Sequence, residues 1–162
     1  MRFIGITGGV GAGKSEILGY LAKKPDTRVM LADEIAHELM SPGTACYDKI
    51  SETFGAEDIF LPQGGLDRGK LAAVIFSDEA KRRQMNAIVH PAVRVYVEKE
   101  AAREKQGGKR KLLVLEAALL IEEHYDEICD ELWYIYTRED IRRERLMASR
   151  GYSTEKVDRI FA

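Results

Sequence analysis

Near the N-terminus the chain reads Gly8-Gly9-Val10-Gly11-Ala12-Gly13-Lys14-Ser15, and no other segment restricts its possible folds so strongly. The segment satisfies GxxxxGK[ST], a pattern whose residue types carry their own chemistry. Glycines such as Gly9, Gly11 and Gly13, with Ala12 between them, let consecutive backbone N–H groups converge on phosphate oxygens with no bulky side chain in the way. Lys14 adds a mobile positive charge for the outer phosphates, and Ser15 offers a hydroxyl to a metal such as Mg²⁺. The loop needs a strand before it and a helix after it, and both are legible. Phe3-Ile4-Gly5-Ile6, within Arg2 to Thr7, is a short apolar run suited to a strand buried on both faces. Ile17, Leu18 and Leu21 recur at helical spacing from Ser15 to about Lys24, and Pro25 stops that helix.

The remaining chain extends the pattern. Arg28 to Leu31 predicts a second strand, followed by a helix that starts near Asp33 and ends before Pro42-Gly43. From Ala45 to about Val97 only helical periodicities occur, carried by Tyr47, Ile50 and Phe54, then Leu71, Val74, Ile75 and Phe76, then Val93, Tyr96 and Val97. Gly107-Gly108 ends the last of these helices. The basic turn Lys109 to Lys111 then leads into the apolar strand Leu112 to Leu115, and another strand is expected at Leu132 to Tyr136. An arginine-dense helix begins near Glu139, and a final helix starts at Ser153 and runs to the chain end. Strands alternating with helices imply right-handed crossovers and an α/β fold of the P-loop NTPase kind, a parallel sheet flanked by helices. At 162 residues there is room for one such core. The expected division is a nucleotide-binding core at 1–40 and 108–137, a helical acceptor-binding insertion at 41–107 and a short arginine-rich lid at 138–152.

Ligands of such sheets sit beyond the carboxyl ends of the strands, so acids just past those ends are placed for chemistry. Asp33 follows the second strand and suits a base that accepts the proton of an attacking hydroxyl; equally, it suits an N-cap for the helix after it. Glu116 closes the Leu112–Leu115 strand where a carboxylate would hold Mg²⁺ or its water, or else stands as an ordinary acid at a strand end. Arg138, Arg142, Arg143, Arg145 and Arg150 supply the cations that phosphoryl transfer requires, although Glu139, Asp140 and Glu144 could pair with them as a solvated helix face. A net charge of −2 speaks against a nucleic-acid partner, and no apolar run suits a membrane span. Cys46 and Cys129 form no metal-binding or redox spacing and are expected to be buried, reduced thiols. Because Met1 to Ile6 runs straight into the glycine loop, no cleavable signal is expected, and the location expected is cytoplasmic.

With those residues in view, the chain resembles the dephospho-coenzyme A kinase family, whose members use ATP to phosphorylate the ribose 3′-hydroxyl of dephospho-CoA. Ile6 to Ser15 is similar to the family's TGGIGSGKS loop, and Ala32-Asp33-Glu34-Ile35-Ala36-His37 to its DAD-x-IAH segment. Phe54-Gly55, Leu66-Asp67-Arg68 with Leu71 and Phe76, Asn86 to Pro91, and Leu119-Leu120-Ile121-Glu122, similar to PLLFE, follow in order and spacing. The resemblance implies ATP binding by Gly11 to Glu16, Asp33 as catalytic base, and Arg68, His90 and Glu122 lining the acceptor site. From the residues alone, His90-Pro91 could equally start a helix, and Arg68 could pair with Asp67 or Glu79. Leu31, Glu16, Ala117-Ala118 and Ser149-Arg150-Gly151 depart from the family pattern, and the family continues past Ala162 with a final strand and helix. The rival readings are another P-loop kinase with a nucleoside or nucleotide acceptor, and a module that binds ATP without transferring phosphate. A GTP switch is poorly served, because no Asn-Lys-x-Asp segment occurs in the chain, and is set aside.

Overall fold

The computed structural model describes residues 1–161. Its elements run β1 (Arg2–Thr7), α1 (Lys14–Ala22), β2 (Thr27–Leu31), α2 (Ala32–Leu39), α3 (Ala45–Phe54), α4 (Arg68–Ser77), α5 (Glu79–Gly107), β3 (Leu112–Glu116), β4 (Glu131–Tyr134), α6 (Glu139–Arg150) and α7 (Thr154–Phe161). They divide into two compact units, one made of Met1–Met30 with Glu104–Ala162 and the other of Leu31–Arg103. The second unit begins upstream of the 41–107 span read from the sequence, so α2 and Asp33 group with the helices that follow. Among the described residues no helix is long and apolar enough to cross a membrane.

The first unit is built on a four-stranded sheet in the order β2-β3-β1-β4. β1 pairs in parallel with β3 on one side, Ile4 opposite Val114 and Ile6 opposite Glu116, and with β4 on the other, Gly5 opposite Leu132. A central parallel strand is covered on both faces, which explains why β1 and β3 are continuous apolar runs. Phe3, Ile6, Leu113, Val114 and Leu115 have no measurable exposure. Burial of each such side chain stabilises the fold by about 1.5–3 kcal/mol before entropy is counted. Ile17, Leu18 and Leu21 of α1 pack on Ile4, Ile6 and Val114, which fixes the loop between β1 and α1 at the carboxyl end of the sheet. β4 ends at Tyr134, short of the expected Tyr136. Beyond it Ile135 still donates to the Thr7 carbonyl at 2.8 Å, but Thr137 then turns its hydroxyl to the Ala12 carbonyl at 2.8 Å, which draws the chain off the sheet and over the glycine loop. α6 ends at Gly151, whose φ of 62° suits a glycine cap. Ser153 caps α7, its hydroxyl accepting from Lys156 N at 3.3 Å; Ala162 lies outside the described residues.

The second unit is helical, apart from an isolated antiparallel bridge between Phe60 and Leu66. Asp67 caps α4, its carboxylate accepting from Gly69 N at 3.0 Å and Lys70 N at 3.1 Å. The helix start that His90-Pro91 allowed as an alternative does not occur: α5 is one helix of 29 residues with Pro91 inside it. Proline removes one backbone bond and strains the preceding turn, at a cost of about 3 kcal/mol. The buried residues Met85, Val89, Val93, Val97 and Ala101 form a single stripe at four-residue spacing that runs through the proline. Packing on both sides of Pro91 therefore outweighs the local break that the sequence suggests.

Candidate active site

In the first unit the glycine loop closes over the start of α1. Gly13 caps that helix at φ 98° with no side-chain hydrogen bond, so no side chain competes for the N–H groups at the start of α1, although Glu16 N already donates to the Gly13 carbonyl at 3.2 Å. Gly11, at φ 79°, lies so close to α6 that a Cβ there would meet the Arg142 carbonyl oxygen and Leu146 Cγ, each at 3.2 Å. The Lys14 ammonium donates to the Gly8 carbonyl at 2.6 Å and sits 3.6 Å from Glu116 Oε1, both side chains being 18% exposed. The carboxylate at the end of β3 thus lies beside the loop lysine. Gly9, Gly11, Ala12, Gly13, Lys14, Ser15 and Glu16 all line one pocket of about 360 Å³, which Arg145, Leu146, Ser149 and Arg150 complete from α6. Ser15 and Glu16 are exposed in the first turn of α1.

The arginines of α6 divide by geometry. Arg138 pairs with Asp140 at 2.7 Å, and Arg143 with Glu139 at 2.8 Å and Asp158 at 2.5 Å, as the solvated-face reading expects. Arg142 instead donates to the Val10 carbonyl at 2.9 Å while its guanidinium stacks 4.3 Å from the centre of the Phe161 ring. Arg145 reaches the Ala12 carbonyl at 3.5 Å, the limit of a hydrogen bond, and is therefore held less firmly. Arg150 hydrogen-bonds Tyr152, and that contact, with the neighbouring Lys156 ammonium, holds the Tyr152 phenol below its usual range. Glu122 stands exposed in the turn after β3 and does not line the phosphate pocket.

In the second unit α2 is capped at Leu31 without a side chain, so Asp33 is not the N-cap that the sequence allowed. It lies one residue inside, exposed in the first turn. His37 follows one turn later on the same face, and Arg68, at the start of α4, hydrogen-bonds its Nε2. Arginine has no acceptor, so the imidazole accepts in this contact. Asp33, Glu34, His37, Glu38 and Arg68 line one polar pocket of about 400 Å³. An adjoining cleft of about 190 Å³ shares His37 and Arg68 and is otherwise walled by Met40, Ser41, Pro42, Leu61, Gly65, Leu66 and Leu71. Neither pairing suggested for Arg68 occurs, since Asp67 caps α4 and Glu79 is taken by Arg82 and Arg83. His90, half-buried in α5, lines neither pocket. His37 was not singled out as a site residue from the sequence; its signal was the four-residue spacing from Asp33.

Cys46 is buried and Cys129 partly so, and both are free thiols. Burial, with the Asp130 and Asp126 carboxylates nearby, pushes the Cys129 thiol up to about 12. Among the described residues no cluster of three or more His, Cys, Asp or Glu could hold a metal alone.

The sequence model described as dephospho-CoA kinase matches residues 2–162. The chain is 37% identical to the dephospho-CoA kinase of Symbiobacterium thermophilum, over 98% of this chain and 65% of that protein. It is 41% identical to that of Oceanobacillus iheyensis, over 98% of this chain and 79% of the relative. The chain thus spans just under two thirds of the first relative and about four fifths of the second. Among solved structures it is similar to TT1252 from Thermus thermophilus, with 28% identity and a TM-score of 0.77 over 99% of this chain and 78% of that one. It also shares the fold of dephospho-CoA kinase from Campylobacter jejuni, at 20% identity and a TM-score of 0.64 over 98% and 78% of the two chains.

Proposed function

Since the chain belongs to the dephospho-CoA kinase family, we propose that it transfers the γ-phosphoryl group of ATP to the ribose 3′-hydroxyl of dephospho-CoA. The observation that carries this reading is the phosphate pocket, where the Lys14 ammonium, the uncapped start of α1 and the α6 arginines face one space. Three kinds of donor are directed at the charge that spreads over the transferring phosphoryl oxygens. Asp33 serves as the base, taking the proton as the 3′-oxygen forms its bond to the γ-phosphorus and the bond from that phosphorus to the bridging oxygen of ADP breaks. Arg145, the least firmly held of the α6 cations on the loop, is the one assigned to the phosphate oxygens.

Mg²⁺ fits these residues, because that ion is ordinarily held by one or two side chains together with water and substrate phosphates, not by a full protein cage. The exposed Ser15 hydroxyl and the Glu116 carboxylate beside Lys14 would hold it or its waters, and the bound ion would neutralise phosphate charge. Cytoplasmic location belongs to the same proposal, since two free cysteines suit a reducing compartment.

The test is ADP release with MgATP, comparing dephospho-CoA with nucleoside monophosphates as acceptors. Stimulation by dephospho-CoA alone is the expected result. Stimulation only by a monophosphate would replace the acceptor, and ATP binding with no turnover on any acceptor would overturn the transferase reading.

A further inference from the structure

Alternate carbonyls of the glycine loop are held by side-chain donors. Gly8 accepts from the Lys14 ammonium at 2.6 Å, Val10 from the Arg142 guanidinium at 2.9 Å, and Ala12 from the Thr137 hydroxyl at 2.8 Å. A peptide unit is planar and trans, so a carbonyl and the N–H of the following residue point in opposite directions. Fixing the Val10 and Ala12 carbonyls therefore turns the N–H groups of Gly11 and Gly13 away from those donors. Among the described residues neither N–H donates to another group of the chain.

Thr137 differs from the other two donors. Lys14 carries its own charge to the phosphate pocket and Arg142 also stacks on Phe161, whereas Thr137 is uncharged and does not line that pocket. Its hydroxyl reaches the site only through the Ala12 peptide. Ala12 is 5% exposed, so the partner its carbonyl needs comes from the protein. Two donors are within reach of it: the Thr137 hydroxyl at 2.8 Å and the Arg145 guanidinium at 3.5 Å. The nearer one satisfies the carbonyl, and Arg145, which does line the pocket, is then not required there. The hydroxyl is also anchored on both sides. Two residues before it Ile135 N donates to the Thr7 carbonyl at 2.8 Å, and two residues after it α6 begins at Glu139.

We propose that Thr137 is a positioning residue for the phosphate site. Its hydroxyl locks the Ala12 peptide so that the Gly13 N–H is presented to phosphate, and it releases Arg145 from the same carbonyl to meet the transferring group. This rests on the kinase reading above. Without the hydroxyl the carbonyl has two ways to find a partner. The peptide rotates, which puts a carbonyl oxygen where phosphate expects a donor, or Arg145 moves onto the carbonyl and is lost to phosphate. Both outcomes weaken the handling of nucleotide, and neither touches the acceptor.

The test uses calorimetric titration of MgATP, ADP release and melting temperatures in Thr137→Val, Thr137→Ala and Thr137→Ser. Valine keeps the shape and removes the hydroxyl, while alanine and serine differ from each other by the hydroxyl alone. The Kd for MgATP is expected to rise about tenfold in the valine and alanine variants, the scale of one lost hydrogen bond to a charged group, and to stay near the unmodified value in Thr137→Ser. KM for dephospho-CoA should not move in any of them. Arg145→Ala should also lower kcat by a factor about threefold or more smaller when made in Thr137→Val than in the unmodified protein, because Arg145 is already diverted there. An unchanged Kd in Thr137→Val and Thr137→Ala overturns the proposal. So does an equal rise in Thr137→Ser and Thr137→Ala that follows the melting temperature, since that is a packing effect, and so do equal losses from Arg145→Ala in the two backgrounds. If the unmodified protein binds no MgATP, the reading of the pocket fails first and this proposal falls with it. If it binds MgATP but turns over no acceptor, only the kinase reading fails, and the Kd values still decide the role of Thr137.

Discussion

A carboxylate that caps a helix has its oxygens committed to backbone N–H groups, whereas one placed two residues past the cap is not bound to that role. Asp33 is of the second kind, because α2 is capped at Leu31 with no side chain. Asp33→Asn is therefore expected to lower kcat by about 10²-fold or more and to leave the Kd for ATP nearly unchanged, measured by ADP release and calorimetric titration. Unchanged turnover would remove Asp33 from the chemistry. The arginines of α6 invite a paired test. Arg142→Ala breaks the bond to Val10 and the stack on Phe161, so the melting temperature should fall along with activity. Arg145→Ala loses only a 3.5 Å contact, so kcat should fall with little change in melting temperature. That the loop residues line one pocket was legible because a glycine loop between a strand and a helix depends on residue type at fixed spacing. The α6 arginines were not, because which of them meet carboxylates and which meet loop carbonyls depends on how α6 is rotated about its axis, and local sequence does not encode that.

Helices show the same division between what is local and what is not. Apart from the Asp67 cap of α4, which was not read, the glycine and proline stops, the helix start at Ser153 and the β1 to α1 connection all act within a few residues, and they read correctly. Pro91 did not, because a local rule competes there with a packed stripe running the length of α5. Pro91→Ala restores the missing backbone donor at an exposed site and is expected to stabilise the protein by about 1–3 kcal/mol, visible as a higher denaturation midpoint. A lower midpoint would mean that the helix geometry at this turn has been built around the proline. Leu146, 1% exposed and pressed against Gly11, couples α6 to the loop. Leu146→Ala should cost about 2–5 kcal/mol, and weaker ATP binding should accompany the loss of stability.

At the scale of the molecule, Cys129 ties stability to pH. Burial first, then Asp130 and Asp126, raise its thiol to about 12 in the folded chain, whereas unfolding releases it to ionise near its ordinary value of 9.0. Between those values the unfolded chain binds fewer protons than the folded one, so stability falls as pH rises. The contribution is complete below about pH 9 and declines toward pH 12. Cys129→Ala should flatten the slope of unfolding free energy against pH in that window, measured by denaturant titration; an unchanged slope would assign the alkaline loss to other groups. The fold class was readable from the sequence because alternating strands and helices around the glycine loop leave few topologies. Where the compact units divide was not, since that depends on which elements α2 packs against.

The strand order carries a consequence for how the protein is made. β1 and β2 emerge first from the ribosome, yet each borders β3 in the finished sheet, and β3 follows all of α2 to α5 in the chain. Until Glu116 has left the exit tunnel, β1 has neither of its partners, since β4 comes later still. The glycine loop is thus among the earliest segments translated and among the last to be shaped, while the helices between β2 and β3 can form from nearby contacts. Nascent chains stalled before residue 112 should therefore show helical protection but no retention on immobilised ATP.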